Sequence, residues 1–182
     1  MSPRPAPDLD LRRDRLTRVA QDLAESEGWS AVTMRRLAGE LGVTQPVVYS
    51  AFPGGRQALL DAVSVSGFDA IADALEAVDP EPLARMRAYL DFALAQPHLY
   101  EAMFSMPSGL PFATDDVPPS LGRAFAALQA AFPGADDTAA EVAWATLHGL
   151  ATLQIGGRLP ASRMEARLER AHRQLTDESD RS

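Results

Sequence analysis

The 182 residues suffice for one domain, or for one compact body with a small module attached. A hydrophobic fraction of 46% and a charged fraction of 23% exclude a largely disordered or a collagen-like chain. Because the sequence contains no cysteine, disulfides, thiolate zinc sites and cysteine nucleophiles are excluded, and the net charge of −8, taken as a total, argues against a nucleic-acid partner.

No targeting or membrane segment is recognisable in the sequence. Residues 1–10 contain three prolines and no apolar stretch of the kind that a signal peptide needs. The longest apolar stretch, residues 143–157, is interrupted by His148 and Gln154 and is shorter than the roughly 20 residues that span a membrane. We therefore expect a soluble, cytoplasmic protein whose residues 1–10 form a flexible arm.

Proline and glycine divide the rest of the chain into segments with helical periodicity, and no segment alternates for long with the period of a strand. In chain order, the predicted helices span 9–27, 34–41, 45–51, 56–78, 82–96, 97–103, 120–132, 136–155 and 161–175. Residues 106–119, with four prolines and one glycine, predict a loop, and the last seven residues predict a frayed end. The fold class is therefore all-α, with about nine helices.

The second and third of these helices have the spacing of a helix-turn-helix. Ala38 is small where the two helices must cross, Gly42 gives the turn a flexible backbone, and Val48 faces back to the crossing point. The small core around them is completed by Leu37, Leu41 and Val43. Two helices joined by a turn of this length form a DNA-binding motif, although a plain helical hairpin with no DNA partner has the same spacing.

The charge distribution favours a DNA-binding role for this part of the chain. Up to Arg56 the sequence has eight arginines and seven acids, whereas the remainder has nine arginines and eighteen acids. The second helix of the motif directs outward the side chains of Thr44, Gln45, Pro46, Val47, Tyr49 and Ser50. These side chains are short, polar or flat, which suits the floor of a major groove.

Each outward residue suits a particular part of DNA. Gln45 can pair with the N6 and N7 atoms of adenine, and Pro46 and Val47 can contact thymine methyl groups. Tyr49 can donate a hydrogen bond to a phosphate. On the preceding helix, Thr33 offers a hydroxyl and a helix N-terminus to a phosphate, and Arg35 and Arg36 can reach the backbone or a base edge.

A distinctive set of short strings accompanies the predicted motif. It consists of Gly28-Trp29, residues 33–38 (TMRRLA), residues 41–43 (LGV), Gln45-Pro46, Val48-Tyr49, Phe52 and residues 58–60 (ALL). With these strings, residues 11–63 resemble the N-terminal domain of the TetR family of bacterial transcriptional regulators. The length and the all-helical pattern also match, so the resemblance covers the whole chain in architecture but only its first third in motif.

The resemblance implies roles for the matching positions. Tyr49 would anchor a phosphate, Thr33 would cap the second helix and bind phosphate, and Gln45 and Pro46 would lie against bases. Arg56 would take the place of a basic residue that contacts phosphate from the start of the fourth helix. Two departures are present: Ala51 stands where many members have histidine, and the turn at 53–55 is one residue longer than usual, which makes Arg56 the less secure match.

Members of the family commonly bind a small molecule in the C-terminal body and release DNA in response. The body contains many large, adaptable side chains, which suit an apolar cavity but equally suit an ordinary core. The candidate ligand-binding residues among them are Met86, Tyr89, Phe92, Tyr100, Met103 and Phe104. Residues 103–106 are the best pocket candidates, because they precede a proline-rich loop that could cover an opening.

A second cluster in the body is formed by Trp144, His148 and Gly149. Trp144 and His148 are four residues apart and so share one face of a helix. The arrangement resembles the WHG-type ligand domain of a subset of TetR-like regulators, which adds Trp144 and His148 to the candidate ligand-binding residues. His148 can equally be a core histidine. We expect no metal and no cofactor, because the three histidines lie far apart and form no close ligand pair.

The same helix carries a ridge of small residues. The ridge consists of Ala145, Gly149, Thr152 and Gly156. Glycine inside a helix costs about 0.5–1 kcal/mol relative to alanine, so close approach of another helix is a natural compensation. We predict that this helix and the one over 161–175 form an isologous four-helix dimer interface, the alternative being close packing within one subunit.

These observations predict a DNA-binding transcriptional regulator and not an enzyme. The predicted organisation is an arm over 1–10, a helix-turn-helix domain over 11–55 and a ligand-binding and dimerisation domain over 56–182. The expected partners are a pseudo-palindromic DNA operator, a second copy of the chain and a small apolar effector that releases the DNA. The alternatives are a constitutive DNA-binding factor and a helical small-molecule carrier or enzyme.

Overall fold

The computed structural model describes residues 9–107, 109–110, 117–134 and 136–177. All regular structure in these residues is helical, which confirms the all-α prediction. In chain order the helices are α1 (Leu9–Glu27), α2 (Met34–Glu40), α3 (Gln45–Ala51), α4 (Gly55–Glu76), α5 (Pro82–Ala95), α6 (Pro97–Phe104), α7 (Pro119–Gln129), α8 (Thr138–Ile155) and α9 (Met164–Thr176), with a 3₁₀ turn at Ala161–Arg163 before α9. Within the described ranges, no helix is both long and apolar enough to cross a lipid bilayer.

The helix boundaries follow the predicted ones closely. α1 matches its predicted span, and α7 ends three residues earlier than predicted because Ala131 and Phe132 form turns whose amides bond to the carbonyl oxygen of Leu128. The segment predicted as the start of the last helix is a 3₁₀ turn. Most of the predicted arm, part of the proline-rich loop and most of the predicted frayed end lie outside the described residues.

Contacts divide the chain into two compact units. The first comprises the described residues of Met1–Gly67 and His98–Leu110, and the second those of Phe68–Pro97 and Pro111–Ser182. The predicted domain boundary cuts the sequence once, between residues 55 and 56. The contacts instead assign the first half of α4 and nearly all of α6 to the unit that contains the helix-turn-helix.

The core of the first unit is built where α1 packs against α2 and α3. Leu16 and Ala20 of α1, Leu37 of α2 and Val48 of α3 have no exposed surface. The prediction that Val43 completes this core was wrong, because its side chain is 37% exposed. Val43 belongs to the turn and donates its amide to the carbonyl oxygen of Ala38, which closes the end of α2.

The start of α6 is bound to the end of α1 within this unit. The indole nitrogen of Trp29 donates to the carbonyl oxygen of His98, and the backbone amide of Leu99 donates to a carboxylate oxygen of Glu25 over 2.8 Å. The carboxylate thus takes up one of the amides that every helix start leaves without an intrahelical partner. These side-chain to backbone contacts join elements about 70 residues apart in sequence.

The second unit is a helical body in which α5 packs against both α8 and α9, and α7 packs against α8. Its buried side chains include Met86 and Tyr89 of α5, Leu147 of α8 and Leu168 of α9. An exposed fork joins two of these helices, since the guanidinium of Arg87 bonds both carboxylate oxygens of Glu165, with 2.6 Å between Nη1 and Oε2. The body therefore combines an apolar centre with charged pairs at its surface.

Candidate nucleic-acid interface

The helix-turn-helix is set up by a cap and a glycine turn. Thr33 precedes α2 in extended conformation, and its Oγ1 accepts the backbone amide of Arg36 at 3.1 Å. This is the N-cap arrangement predicted for Thr33, and it satisfies one of the free amides at the helix start. After α2, Gly42 adopts a φ of +62°, a left-handed conformation that glycine tolerates at little cost. The turn that results carries the chain directly into α3.

α3 has one buried face and one exposed face. Val48 and Ala51 are fully buried, whereas every predicted outward residue is exposed except Val47, which is partly buried. The exposed residues are Thr44, Gln45, Pro46, Tyr49 and Ser50. The Oγ of Ser50 donates to the carbonyl oxygen of Val47, so its proton is used within the helix while its lone pairs stay available. The face that α3 presents is the one from which the predicted contacts to DNA would come.

Tyr49 lies at the end of this face, beside the start of α4. Its side chain is 46% exposed, and a Cβ atom placed on Gly55 would lie 3.7 Å from the Cε1 atom of the ring. Gly55 has a φ of +64°, so the chain between the two helices turns sharply there. The ring is thereby placed against a tight turn while much of it faces solvent, as a phosphate-binding tyrosine requires.

The two arginines of α2 differ in their surroundings. Arg35 is exposed and forms no hydrogen bond or salt bridge with the described part of the chain. Arg36 instead binds two carboxylates: its Nη2 lies 2.8 Å from Oε1 of Glu27, and its Nε lies 2.7 Å from Oε1 of Glu40. The hydrogen bonds to Glu40 and Glu27 raise the pKa of Arg36 above its ordinary value. Of these two arginines, Arg35 is the one without an acidic partner among the described residues.

A depression of about 500 Å³, open to solvent, lies beside these arginines. The residues that line it are Ala31, Thr33, Arg35, Arg36, Gly39 and Glu40. Thr33 was predicted to bind phosphate, and Arg35 and Arg36 to reach the DNA backbone or a base edge, so the depression brings three predicted DNA contacts together on one surface. Glu40 lies on the same surface, which the sequence did not predict.

Arg56 is the least secure of the predicted DNA contacts, and the structure gives its guanidinium another role. Its Nη2 donates to the carbonyl oxygen of Trp29 at 3.2 Å, and its Nε donates to the carbonyl oxygen of Val32 at 3.4 Å. Both acceptors lie in the segment between α1 and α2. Arg56 therefore holds that segment to the start of α4, and a phosphate contact would have to use its remaining N–H groups.

One positioning residue was missed by the sequence analysis. The Nε of Arg13 in α1 donates to the carbonyl oxygen of Ala51 over 2.7 Å. Because Ala51 is the last residue of α3, the cation lies at the negative end of that helix. The sequence shows a cluster of arginines in α1 but has no feature that distinguishes Arg13 from its neighbours.

The predicted effector residues of the second unit form a partly buried cluster. Met86, Tyr89 and Phe92 of α5 are buried, and the indole nitrogen of Trp144 donates to the hydroxyl of Tyr89 at 3.2 Å. The ring of Trp144 also meets Phe125 edge to face, with 6.3 Å between ring centroids. Phe125 was not among the predicted residues. His148 is half-buried, and burial lowers its pKa below the ordinary value.

The other predicted effector residues, all on α6, belong to the first unit. Tyr100 and Met103 are buried there, and the rings of Tyr100 and Phe104 lie 4.8 Å apart. Met103 also packs against α4, because a Cβ atom on Gly67 would lie only 2.6 Å from the Sδ atom of Met103. Core packing, the alternative weighed from the sequence, describes these contacts, and an effector contact from α6 stays a prediction.

The small-residue ridge of α8 lies at the surface of the second unit. Ala145, Thr152 and Gly156 are exposed, and a Cβ atom on Gly149 would meet nothing within 4 Å. Three large apolar side chains of the same helix are also exposed, namely Val142 at 51%, Leu153 at 44% and Ile155 at 37%. The described part of this chain therefore does not use the ridge for packing, which was the alternative to a dimer interface.

The chain has a helix-turn-helix whose second helix is exposed, followed by further helices. This arrangement is typical of helix-turn-helix regulators. Residues 16–63 match the bacterial regulatory proteins of the tetR family, and residues 82–177 match the tetracyclin repressor-like C-terminal domain. The chain therefore belongs to the TetR family. The finer likeness to a WHG-type body stays a prediction.

Individual proteins are similar to this chain in sequence or in fold. The uncharacterized HTH-type transcriptional regulator YobS of Bacillus subtilis (strain 168) is 32% identical over 108 residues, which cover 56% of this chain and 54% of that protein. The match thus spans about half of the relative. A protein of unknown function from Rhodococcus sp. RHA1 has 29% identity and a TM-score of 0.72, with 96% of this chain and 97% of that one covered.

A third relative has been solved with a small molecule. The Streptomyces coelicolor TetR family protein ActR, in complex with (S)-DNPA, is 22% identical to this chain and has a TM-score of 0.58, with 88% of this chain and 85% of that one covered. At this identity the likeness shows a common fold.

Proposed function

We propose that this chain is a cytoplasmic transcriptional repressor that binds a pseudo-palindromic DNA operator as a dimer and is released by a small apolar effector. The observation that carries the proposal is the exposed face of α3, where Gln45 and Tyr49 lie in the open while Val48 holds the helix to the core. Family membership supports it, since the matched family is one of bacterial regulatory proteins.

In this proposal α3 enters the major groove. Gln45 reads adenine, Pro46 and Val47 contact thymine methyl groups, and Thr44 and Ser50 add hydroxyls at the edge of the contact. Tyr49 donates to a phosphate, and Thr33 with Arg35 binds the backbone from α2. Phosphate contacts fix the register of the protein on DNA, and base contacts provide the sequence preference.

Two copies of α3 are needed for useful affinity. Recognition helices about 34–36 Å apart read successive major grooves, so operator symmetry mirrors protein symmetry. The proposed dimer interface is the face of α8 with the ridge Ala145, Gly149, Thr152 and Gly156, together with α9. An exposed ridge flanked by large apolar side chains supports this choice, because a second copy would bury them.

The proposed effector site uses the cluster of Tyr89, Trp144 and His148 with the buried side chains Met86 and Phe92. A mostly apolar lining with a few polar groups is typical of small-molecule sites. ActR, which shares the fold, was solved with (S)-DNPA, and this favours a ligand-responsive regulator over a constitutive DNA-binding factor. An effector can release DNA only to the extent that it binds the two forms of the dimer with different affinity.

The proposal is tested by equilibrium binding of labelled duplexes that tile the DNA flanking the gene of this chain. The wild type should select one duplex, and Tyr49→Phe, which lacks only the hydroxyl, should weaken binding to all duplexes by a similar factor. Tyr100→Phe is the matched control, since that tyrosine is buried in the unit core. Equal affinity of the Tyr49→Phe variant and the wild type would contradict the phosphate role.

A further inference from the structure

Arg36 is held by two carboxylates from different helices. Its Nη1 and Nη2 bond the two oxygens of Glu27 at 3.3 and 2.8 Å, and its Nε bonds Glu40 at 2.7 Å. Glu27 is the last residue of α1, whereas Glu40 is the last residue of α2. All three guanidinium nitrogens are therefore engaged within the protein, in a forked geometry that an arginine forms well.

The surroundings of this network make it unfavourable for Arg36 to leave the two carboxylates and bind DNA. An isolated exposed ion pair is worth little, but a forked pair within a network of three charges is better held. Glu40 and Arg36 line the same depression as Thr33 and Arg35, the proposed phosphate contacts. If Arg36 moved to a phosphate, it would leave Glu27 and Glu40 uncovered at a surface that approaches a polyanion.

From this geometry we infer that Arg36 is the counter-ion of Glu27 and Glu40 and not of DNA. It is a positioning residue that fixes the end of α1 to α2 and screens two carboxylates, and Arg35 is the cation that α2 offers to phosphate. The inference rests on the proposed DNA-binding function and replaces the DNA contact predicted for Arg36 from the sequence.

The test is the salt dependence of binding to the duplex that the wild type selects. Each phosphate contact contributes about 0.9 to the slope of log affinity against log salt. In the double variant Glu27→Gln/Glu40→Gln, Arg36 loses its partners and can bind a phosphate. The slope should then steepen by about 0.9 per subunit, which for a dimer changes relative affinity about tenfold between about 50 and about 200 mM salt.

Two further variants make the result specific. Adding Arg36→Gln to the double variant should return the slope to the wild-type value, because position 36 then has no cation that could bind a phosphate. The matched control is Asp14→Asn/Asp22→Asn, which removes the same charge from exposed positions of α1 without touching the network. Arg35→Gln in the wild type should make the slope shallower by about 0.9 per subunit.

The outcomes separate the inference from the function on which it rests. A double variant that behaves like the matched control, or a slope that stays steep after Arg36→Gln is added, would overturn the inference while wild-type binding still supports the function. If the wild type selects no duplex from the flanking DNA or from the rest of the genome, the proposed function fails and the role of Arg36 fails with it.

Discussion

The indole nitrogen Nε1 of Trp29 donates a hydrogen bond to the carbonyl oxygen of His98, with 2.9 Å between the two atoms. Trp29 follows directly after α1, and His98 is the second residue of α6. The bond therefore ties a helix far along the chain to the unit that carries α3. Together with the carboxylate of Glu25 on the Leu99 amide, it fixes where α6 begins.

Removing this bond should weaken the first unit without changing its shape. Trp29→Phe keeps an aromatic ring but removes the indole donor to the carbonyl oxygen of His98, so the free energy of unfolding should fall by about 0.5 to 1.5 kcal/mol. Urea unfolding measures the change. His98→Ala is the control, since it keeps the backbone acceptor and should unfold close to the wild type. Equal stability of Trp29→Phe and wild type would show that the bond contributes nothing.

Two helical glycines of the first unit should respond to alanine with opposite signs. At Gly67 the new Cβ atom would lie 2.6 Å from Sδ and 2.7 Å from Cγ of the buried Met103, so Gly67→Ala should destabilise by about 1–3 kcal/mol. At Gly39 it would meet nothing within 4 Å, so Gly39→Ala should be neutral or stabilise by as much as about 1 kcal/mol. Thermal unfolding of both variants measures the difference, and a stabilised Gly67→Ala would refute this packing.

Gly149→Leu should weaken the proposed dimer. Because a Cβ atom there meets nothing within 4 Å in this chain, a change in solution mass reports on a second copy and not on the fold of one. Sedimentation over a concentration series should show the monomer at concentrations where the wild type is dimeric. Ala126→Leu places the same side chain on the exposed side of α7 and should leave the mass unchanged. A Gly149→Leu variant with unaltered mass argues against the ridge as the interface.

Gln45→Ala should change the sequence preference of binding more than its strength. Loss of a bidentate contact to adenine costs about 1–3 kcal/mol of discrimination at that base pair, whereas the phosphate contacts and the salt slope remain. Binding to duplexes in which each operator base pair is replaced in turn measures the effect. If the variant keeps the full preference at every position, Gln45 does not read a base.

Acid should destabilise the protein partly through His148. Burial holds its folded-state pKa below the ordinary value of about 6.5, so the unfolded chain binds the proton more readily and the free energy of unfolding falls as the pH drops below about 6.5. His148→Gln should lose less stability than the wild type between about pH 7.5 and about pH 5.5, as measured by urea unfolding. An equal loss of stability in both proteins would rule out this contribution. His98→Gln is the control for the removal of a histidine.

The sequence predicted the helices well because their limits are local. Thr33 caps α2 through an amide three residues away, Gly42 forms the turn, and proline begins α5, so each signal acts within one turn of where it stands. The outward face of α3 follows from the same local geometry once Val48 is assigned to the core.

The pairing of charged side chains could not be predicted in this way. Arg36 reaches Glu27 nine residues back, and Arg56 reaches the carbonyl oxygen of Trp29 across 27 residues. Such contacts depend on how helices pack and not on any pattern along the chain. The exposure of Val43 could not be predicted either. Its hydrophobicity suggested a buried position, but the path of the backbone through the turn decides whether its side chain is buried.

The most direct test of the central claim is binding of the purified wild type to the DNA flanking its own gene, over a salt series and with solution mass measured alongside. A dimer that selects one duplex, with affinity falling steeply as salt rises, is the predicted result. A protein that binds all duplexes equally, or that binds none from the flanking DNA or from the rest of the genome at any salt concentration, would contradict the account of α3 as a reader of DNA.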